Sequence, residues 1–454
     1  LNVAELGFSS AIVFSMYDPI AKDDDDTICA LLSYYRKIYK VVGSIILVGG
    51  VAILPFLTKL VKGDCPTELN IYILFIMYLL NTALTYLLFA YKKSILEATQ
   101  RNDYISMNDT ITTGLTNVIQ LILLLFWKSI YVYYLYVMTM LAFTIINNIL
   151  NARIVDKKYP QYKCRGKLGE EERKVIKKQV SGLMVSRICQ MTRNSFDSIF
   201  VSAFIGLTMT TIYNNYYYVV NSVVGVMNVI TSAMLAGIGN SLASETQEKN
   251  YEDFSIFNFI YVWLAGWATV TMFCLYQDFM TLWVGKDLTL PLLAAGIFSI
   301  YFYALKICDI RITYTSAAGL WWENRNRSII EMITNIILNY ILVQLYGVYG
   351  IVTATIIPLV LINFIFGGQI LFKYYFTEFS ILGYFKDNII YAVVTAMVTL
   401  CTWNITKYIP GSGFLHLIIK ALACVIIPNI LFILLYARTN NFKMAKKWIK
   451  NKLK

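Results

Sequence analysis

Charge and histidine are scarce in this 454-residue chain. Only 15% of the residues are Asp, Glu, Lys or Arg, whereas an average soluble domain has about 25%, and the one histidine is His416. A single histidine nearly excludes histidine-based metal sites and serine triads. The composition also excludes disorder, collagen-like repeats and coiled coils, and it makes nucleic-acid binding a poor first explanation of the net charge of +12.

Motifs that mark enzymes and ATP-driven pumps are also missing. No two of the eight cysteines form C-x-x-C, and neither G-x-x-x-x-G-K-[ST] nor G-x-G-x-x-G occurs. We therefore expect no zinc site, no disulfide framework and no nucleotide-driven pump in one chain. No carboxylate pair and no nucleophile with a neighbouring base is visible. The sequence predicts a protein that is not an enzyme, with no catalytic residues, no metal and no cofactor.

Apolar sequence is what the chain has in excess. Hydrophobic residues make up 58% of it, and the mean hydropathy is +0.59. Since about 20 apolar residues cross the hydrocarbon core of a bilayer, we predict an all-α polytopic membrane protein with thirteen spans. The spans lie roughly at 3–17, 38–60, 69–90, 109–127, 131–150, 180–206, 210–236, 255–276, 289–309, 328–346, 349–372, 388–408 and 414–436.

Lysine and arginine are distributed unequally between the two sides of this arrangement. The connections on the side of 91–108, 151–179 and 437–454 hold 31 of the 39, and the opposite connections hold 6. By the positive-inside rule the first side, with the C-terminus, is cytoplasmic. Thirteen spans then place residue 1 outside, so we expect one further helix before Leu1 and fourteen spans in the full protein.

The spans and loops predict four parts. Residues 1–150 form a first transmembrane lobe that lacks its first helix, and 151–179 form a basic cytoplasmic linker. Residues 180–372 form a second lobe, and 373–454 hold two additional helices and a basic cytoplasmic tail. With the expected first helix, each lobe has six helices in the same orientation, which is a known arrangement of transporters.

The strongest functional signal is charge inside the span at 180–206. Arg187, Arg193 and Asp197 all fall within it, and an ionisable residue inside a membrane indicates a functional site. Arg193 and Asp197 are four residues apart and share a helix face, so a fixed structural ion pair is one interpretation. Arginines that face a water-filled cavity and bind an anion are the other, and they would also explain Arg187.

Two further charged positions have open alternatives. Lys306 and Arg311 lie at the end of a predicted span, where they either reach towards the cytoplasmic interface or, if the helix continues, face a cavity. Glu5 lies in the first span, in either a packing or a proton-linked role. Glu331 is expected near an interface.

The polar aromatic stretch YNNYYYVVN opens the span at 210–236. Its amides are candidates for binding sugars, together with the neighbouring tyrosines, while an interfacial tyrosine belt is the alternative. The candidate substrate-binding residues are therefore Arg187, Arg193, Asp197, Glu5, Lys306, Arg311, Asn214, Asn215 and Asn221.

Several stretches resemble one family. LNVAELGFSSAIVFSMYDPIAKDDDDTICALLSYYRKIYK, DSIFVSAFIGLTMTTIYNNYYYVVNSVVGVMN with GIGNSLASE, and AAGLWWENRNRSIIEMITNIILNYILVQLYGVYGIVTATIIP are similar to helices of Wzx-type polysaccharide flippases. That family belongs to the superfamily of the lipid II flippases and the multidrug and toxin extruders. The resemblance implies two six-helix lobes around a central cavity that opens alternately to either side of a bacterial inner membrane.

The resemblance also implies a cargo and partners. The cargo would be an undecaprenyl-diphosphate-linked oligosaccharide for O-antigen, lipopolysaccharide or capsule assembly. The partners would be membrane lipid and other polysaccharide-assembly membrane proteins, without nucleic acid. Alternatives are a cation-coupled multidrug antiporter of the same superfamily, a membrane-embedded polysaccharide polymerase or ligase, which the short exterior loops disfavour, and a non-transporting scaffold.

Overall fold

The computed structural model describes residues 8–56, 69–127 and 129–452, and every regular element in these ranges is helical. The chain divides into two compact units, Leu1–Val180 and Ser181–Lys454. Eight helices of the described ranges are long and apolar enough to cross a membrane, or nine if one bent pair counts as a span. The all-helical polytopic fold is thus confirmed. The count of eight treats Trp321–Tyr374 as one helix and covers only the described residues, so the thirteen spans stay a prediction.

The first unit is built from helix pairs. Its helices are α1 (Phe8–Ala21), α2 (Asp25–Ile53), α3 (Ile71–Leu87), α4 (Lys93–Ala98), α5 (Asn102–Phe126) and α6 (Val132–Lys158). Helix α2 packs on α1 and α3, and α6 packs on α3 and α5. The predicted linker is partly helical, because α7 (Glu170–Phe204) begins in it.

The second unit packs around one long helix. Its helices after α7 are α8 (Leu207–Ser244), α9 (Gln247–Val284), α10 (Leu292–Lys306), α11 (Asp309–Ala317), α12 (Trp321–Pro358), a π-helical segment (Leu359–Phe366), α13 (Gly367–Tyr374), α14 (Ile381–Thr406), α15 (Gly413–Tyr436) and α16 (Asn440–Lys452). Helix α9 contacts α8, α10, α11, α14, α15 and α16. Aromatic and aliphatic side chains fill the core between them.

The helical run Trp321–Tyr374 folds back on itself. Its 54 residues would extend about 80 Å as one straight helix, far more than the roughly 30 Å of a hydrocarbon core. Asn335 Nδ2 donates to Thr355 Oγ1 at 3.0 Å, although twenty residues separate the two. The reversal is made at Gly347, where φ is +57° and ψ is −133°, a conformation that glycine adopts readily. Two helices therefore lie where the sequence predicts spans at 328–346 and 349–372.

Short polar side chains set where the helices begin. Asp24 caps α2 by accepting from the Thr27 backbone N–H at 3.0 Å. Hydrogen bonds from the Thr27 hydroxyl and then from its backbone N–H lower the pKa of the Asp24 carboxyl. Asn70, Thr246 and Ser380 cap α3, α9 and α14 in the same way. Polar residues between apolar runs thus fix the helix boundaries.

Candidate functional site

A cavity of about 440 Å³ lies within the second unit, bounded mainly by α7, α8, α10, α11 and α12. Its charged lining residues are Arg187, Arg193, Lys306, Asp309, Arg311, Arg327 and Glu331. Five cations and two carboxylates give this lining a formal charge of +3. Polar side chains such as Asn228, Gln190 and Ser186 complete the wall. A cavity with this lining attracts anions.

One carboxylate is held between two arginines. Glu331 pairs through one oxygen with Arg193 of α7 and through the other with Arg327, one turn earlier on α12. Both partners of the Arg193 pair are buried. Arg327 is fixed further by its Nε, which donates to Asn324 Oδ1 at 2.7 Å. Glu331 is thus a buried member of the cavity wall, and its place near a membrane interface stays a prediction.

The second carboxylate neutralises the lysine. Lys306 Nζ lies 2.8 Å from Asp309 Oδ2 and 2.8 Å from Asn228 Oδ1. Tyr261 donates its hydroxyl proton to the same Asp309 oxygen at 2.5 Å. Lys306 is 2% exposed. The chain continues as helix beyond Lys306, because α11 begins three residues after α10 ends. This is the alternative in which Lys306 faces a cavity.

Arg311 is a cavity-lining cation with N–H groups that have no hydrogen-bond partner among the described residues. It is 0% exposed, and its Nη2 donates to Asn363 Oδ1 at 2.5 Å and to Asn363 O at 3.1 Å. Its Nε and Nη1 have no hydrogen-bond partner among the described residues, although Cys308 and Tyr384 lie near. Gly367 makes room for this guanidinium, since a Cβ there would lie 2.5 Å from Arg311 Cζ.

The excess of cations over carboxylates in the cavity lining allows the site to bind an anion. Glu331 and Asp309 are both committed to other cations, so the described part of the chain gives Arg311 and Arg187 no carboxylate partner. Arg187 is exposed and Arg311 is buried, and both line the same cavity. Two guanidinium groups suit an anion with several oxygens, such as a diphosphate.

Asp197 lies outside the cavity lining. Its Oδ1 accepts from Asn339 Nδ2 at 2.7 Å, and its Oδ2 accepts from Thr355 Oγ1 at 3.0 Å. Asn335 joins the same buried group by donating to Thr355. Arg193 forms an ion pair across to Glu331 of α12. Asp197 lies close enough to Arg193 for their charges to interact, but it is not among the residues that line the cavity.

The other predicted residues fall into three groups. Lys306, Arg311, Arg187 and Arg193 meet in one cavity. The amides Asn214, Asn215 and Asn221 lie on α8 outside its lining, with Asn214 and Asn221 exposed. Glu5 lies outside the described residues.

Arg327, Asp309 and Glu331 are cavity residues that sequence reasoning did not assign to the site. Arg327 and Glu331 are four residues apart on one helix and open an apolar run, which is the signal that could have identified them. Within the described ranges no group of three or more His, Cys, Asp or Glu side chains is placed to hold a metal ion.

Comparison with known proteins places the fold. No family model matches the sequence, and no curated protein does. The structure is similar to an outward-facing multidrug resistance MATE family transporter of the MOP superfamily, with a TM-score of 0.63, 14% identity, and coverage of 81% of this chain and 84% of that one. For the Vibrio cholerae MATE transporter VcmN in the bent form the TM-score is 0.58, with 14% identity and 83% and 86% coverage.

A third similar structure is a MOP superfamily transporter from Pyrococcus furiosus, described as having a binding pocket of reversed polarity that suggests a different function. Its TM-score is 0.58 at 14% identity, covering 82% of this chain and 84% of that chain. The chain thus has the fold of the MATE transporters of the MOP superfamily. This agrees with the superfamily that the sequence resembles, at the level of fold.

Proposed function

We propose that the protein is a flippase that carries undecaprenyl-diphosphate-linked oligosaccharides across the bacterial inner membrane for O-antigen or capsule assembly. The observation that carries this proposal is the cation surplus of the cavity, above all the Nε and Nη1 groups of Arg311. A buried guanidinium with unsatisfied N–H groups is costly, and an anionic ligand removes that cost. The similarity of fold to transporters supports movement of that ligand rather than its chemical conversion.

The cavity has the size of a head-group site. Its volume of about 440 Å³ lies in the range of roughly 300–1,000 Å³ that is usual for small-ligand sites. It holds the diphosphate and the adjoining sugar, while the polyprenyl chain remains in lipid. Arg311 and Arg187 bind the phosphate oxygens, and Asn228, Gln190 and Ser186 supply polar contacts to the sugar.

Glu331 gives the site a means of release. Its carboxylate already occupies Arg193 and Arg327, so it acts as an internal anion that competes with the diphosphate for them. The cargo binds more tightly in the state in which Glu331 has left Arg193 and Arg327 than in the state in which Glu331 is paired with them. Return of Glu331 to the arginines therefore releases the cargo. Transport requires two conformations with different affinity for the cargo, and this exchange of anions supplies such a difference. Other polysaccharide-assembly membrane proteins are the expected partners, and the C-terminus is cytoplasmic in this arrangement.

A cation-coupled multidrug antiporter is the alternative, and the cavity disfavours it. A cationic drug needs a carboxylate that is free to pair with it, whereas Glu331 and Asp309 are each held by cations. The Pyrococcus furiosus transporter, with its pocket described as reversed in polarity, is a precedent within this fold for a pocket of different charge.

Reconstitution tests the proposal. The protein is placed in liposomes with a fluorescent polyprenyl-diphosphate-linked oligosaccharide, and membrane-impermeant dithionite reports which leaflet the lipid occupies. We expect protein-dependent movement that is lost in Arg311→Ala and retained in Arg438→Ala, a control that removes an exposed arginine far along the chain. Movement of ethidium but not of the lipid would contradict the proposal.

A further inference from the structure

We propose that the C-terminal helix α16 binds the anionic lipid surface of the membrane through one face, here called the lysine face, made of Lys443, Lys446, Lys447 and Lys450. All four side chains are exposed. None of them forms an ion pair within the described residues. This surface is separate from the cavity and does not depend on the proposed cargo.

The lysine face follows from helix geometry. Positions 443, 446, 447 and 450 are spaced i, i+3, i+4 and i+7, so at 100° per residue they fall within a sector of about 100°. Ala445 and Trp448 project to the opposite side. Ala445 is 3% exposed, which shows that the opposite side is the buried one. The helix is thus amphipathic, with a cationic outer stripe.

The apolar side of α16 is already occupied by the protein. Trp448 meets Phe257 of α9 edge-on, with 5.4 Å between ring centroids, and Phe442 stacks on Trp263 of α9 at 6.0 Å. Asn441 Nδ2 donates to Asp387 Oδ2 of α14 at 2.8 Å. These contacts fix which way the helix faces, so the lysine face is held outward and cannot turn into the core.

The position of the helix identifies its partner. Helix α15 is long and apolar enough to cross a membrane, and α16 begins four residues after its last residue, Tyr436. The lysine face therefore lies at the end of a candidate span, which is the depth at which lipid head groups lie. Seven of the last seventeen residues are basic and none is acidic. A cluster of four or more basic residues on an amphipathic helix next to a span is typical of binding to anionic lipids.

Helix α16 also forms part of the wall of a second cavity. Trp448 lines a mainly apolar space of about 330 Å³ together with Phe257 and Tyr261. Tyr261 is the residue whose hydroxyl donates to Asp309 in the basic cavity. Lipid that holds α16 in place therefore stabilises one wall of this second space.

Hydrogen–deuterium exchange of the full chain in nanodiscs tests the inference. Exchange of the α16 backbone is compared in phosphatidylcholine alone and in phosphatidylcholine mixed with phosphatidylglycerol. We expect about tenfold slower exchange with the anionic lipid, and less slowing at high salt. The variant K443Q/K446Q/K447Q/K450Q should lose the response, and K443R/K446R/K447R/K450R, which keeps the charge, should retain it. Exchange of α9 serves as the internal measure that each variant is folded.

Three results would overturn the inference. The first is equal exchange of α16 in the two lipid compositions. The second is an undiminished response of the glutamine variant. The third is protection in phosphatidylcholine alone on addition of RNA or inorganic phosphate, which would identify a soluble anion as the partner. None of these results bears on cargo binding, so they leave the proposed function standing.

Discussion

Two buried polar sites, at Asp197 and at Arg193, lie one helical turn apart on α7. They differ in whether the surrounding residues supply enough partners for their charge. Asp197 is surrounded by donors from both arms of α12, Asn339 and Thr355, at 2.7 and 3.0 Å. Arg193 belongs to a cavity wall that contains more cations than anions. In the first site both carboxylate oxygens of Asp197 accept hydrogen bonds that join the helices, whereas the second has charge left for a ligand.

The first unit repeats this pattern of hydrogen bonds between helices. Asn108 Nδ2 donates to Asn151 Oδ1 at 2.8 Å, and Asn147 Nδ2 donates to Asp109 Oδ1 at 2.7 Å, joining α5 to α6. Amides both donate and accept, so a group of them can satisfy itself without a ligand. The difference from the basic cavity teaches that buried polarity alone does not mark a binding site. A binding site is marked by charged side chains that have no partner of opposite charge and that line a cavity.

Arg311→Ala should produce the largest loss of anion binding. Hydrogen bonds to charged groups contribute about 1.5–3 kcal/mol, so the affinity for an isoprenoid diphosphate should fall about 10- to 100-fold. Binding is measured by calorimetry on detergent-solubilised protein, with Arg438→Ala as the control. An unchanged affinity would show that the free N–H groups of Arg311 do not meet the ligand.

Glu331→Gln should shift affinity in the opposite direction. Removing the internal anion frees Arg193 and Arg327 for the diphosphate, so binding should become about tenfold tighter while movement across the liposome membrane slows. The variant should melt at a lower temperature without ligand, since two buried cations lose their counterion, and pyrophosphate should restore the melting temperature. Weaker binding would instead assign Glu331 a purely structural role.

Arg187→Gln should have a smaller effect that depends on salt. Its side chain is exposed, and exposed charges contribute about 1 kcal/mol or less. We expect affinity to fall about three- to fivefold at low ionic strength, with the difference from the wild type shrinking as salt is added. A loss as large as that of Arg311→Ala, insensitive to salt, would show that Arg187 is enclosed when the ligand is bound.

Asp197→Ala should leave diphosphate affinity unchanged and lower stability. Asn339 and Thr355 would lose an acceptor, at a cost of about 1–3 kcal/mol in the free energy of unfolding. Asp197→Asn, which keeps one acceptor oxygen, should be less destabilising. The melting temperature and the calorimetric affinity are measured together, and a change of affinity in both variants would make Asp197 part of the anion site.

Patterns along the chain predicted much of the fold. Apolar length identified the helices, and the short gap between 346 and 349 identified a reversal that Gly347 makes. Asp24 belongs to a run of four aspartates at 23–26 and caps α2. These features depend on residues that are close together in sequence, so they could be predicted from the sequence alone.

The candidate site was predicted only in part, because its pairs are remote in sequence. Arg193 and Glu331 are separated by 138 positions, so spacing along α7 pointed to Asp197 as the partner. Whether Lys306 and Arg311 face a cavity depended on whether the helix continued past Lys306, and the periodicity of the sequence could not decide this. Asn214, Asn215 and Asn221 matched a sugar-binding pattern in sequence, yet they are not among the residues that line the cavity, whereas Asn228 of the same helix is.

Equilibrium binding of matched ligands to the wild-type protein tests the central claim most directly. Farnesyl diphosphate, uncharged farnesol and the cationic dye ethidium are compared under the same conditions by calorimetry. A cavity with a formal charge of +3 predicts that farnesyl diphosphate binds and that pyrophosphate competes with it, while farnesol and ethidium bind far more weakly. Tight binding of ethidium, with no preference for the diphosphate over farnesol, would contradict the account.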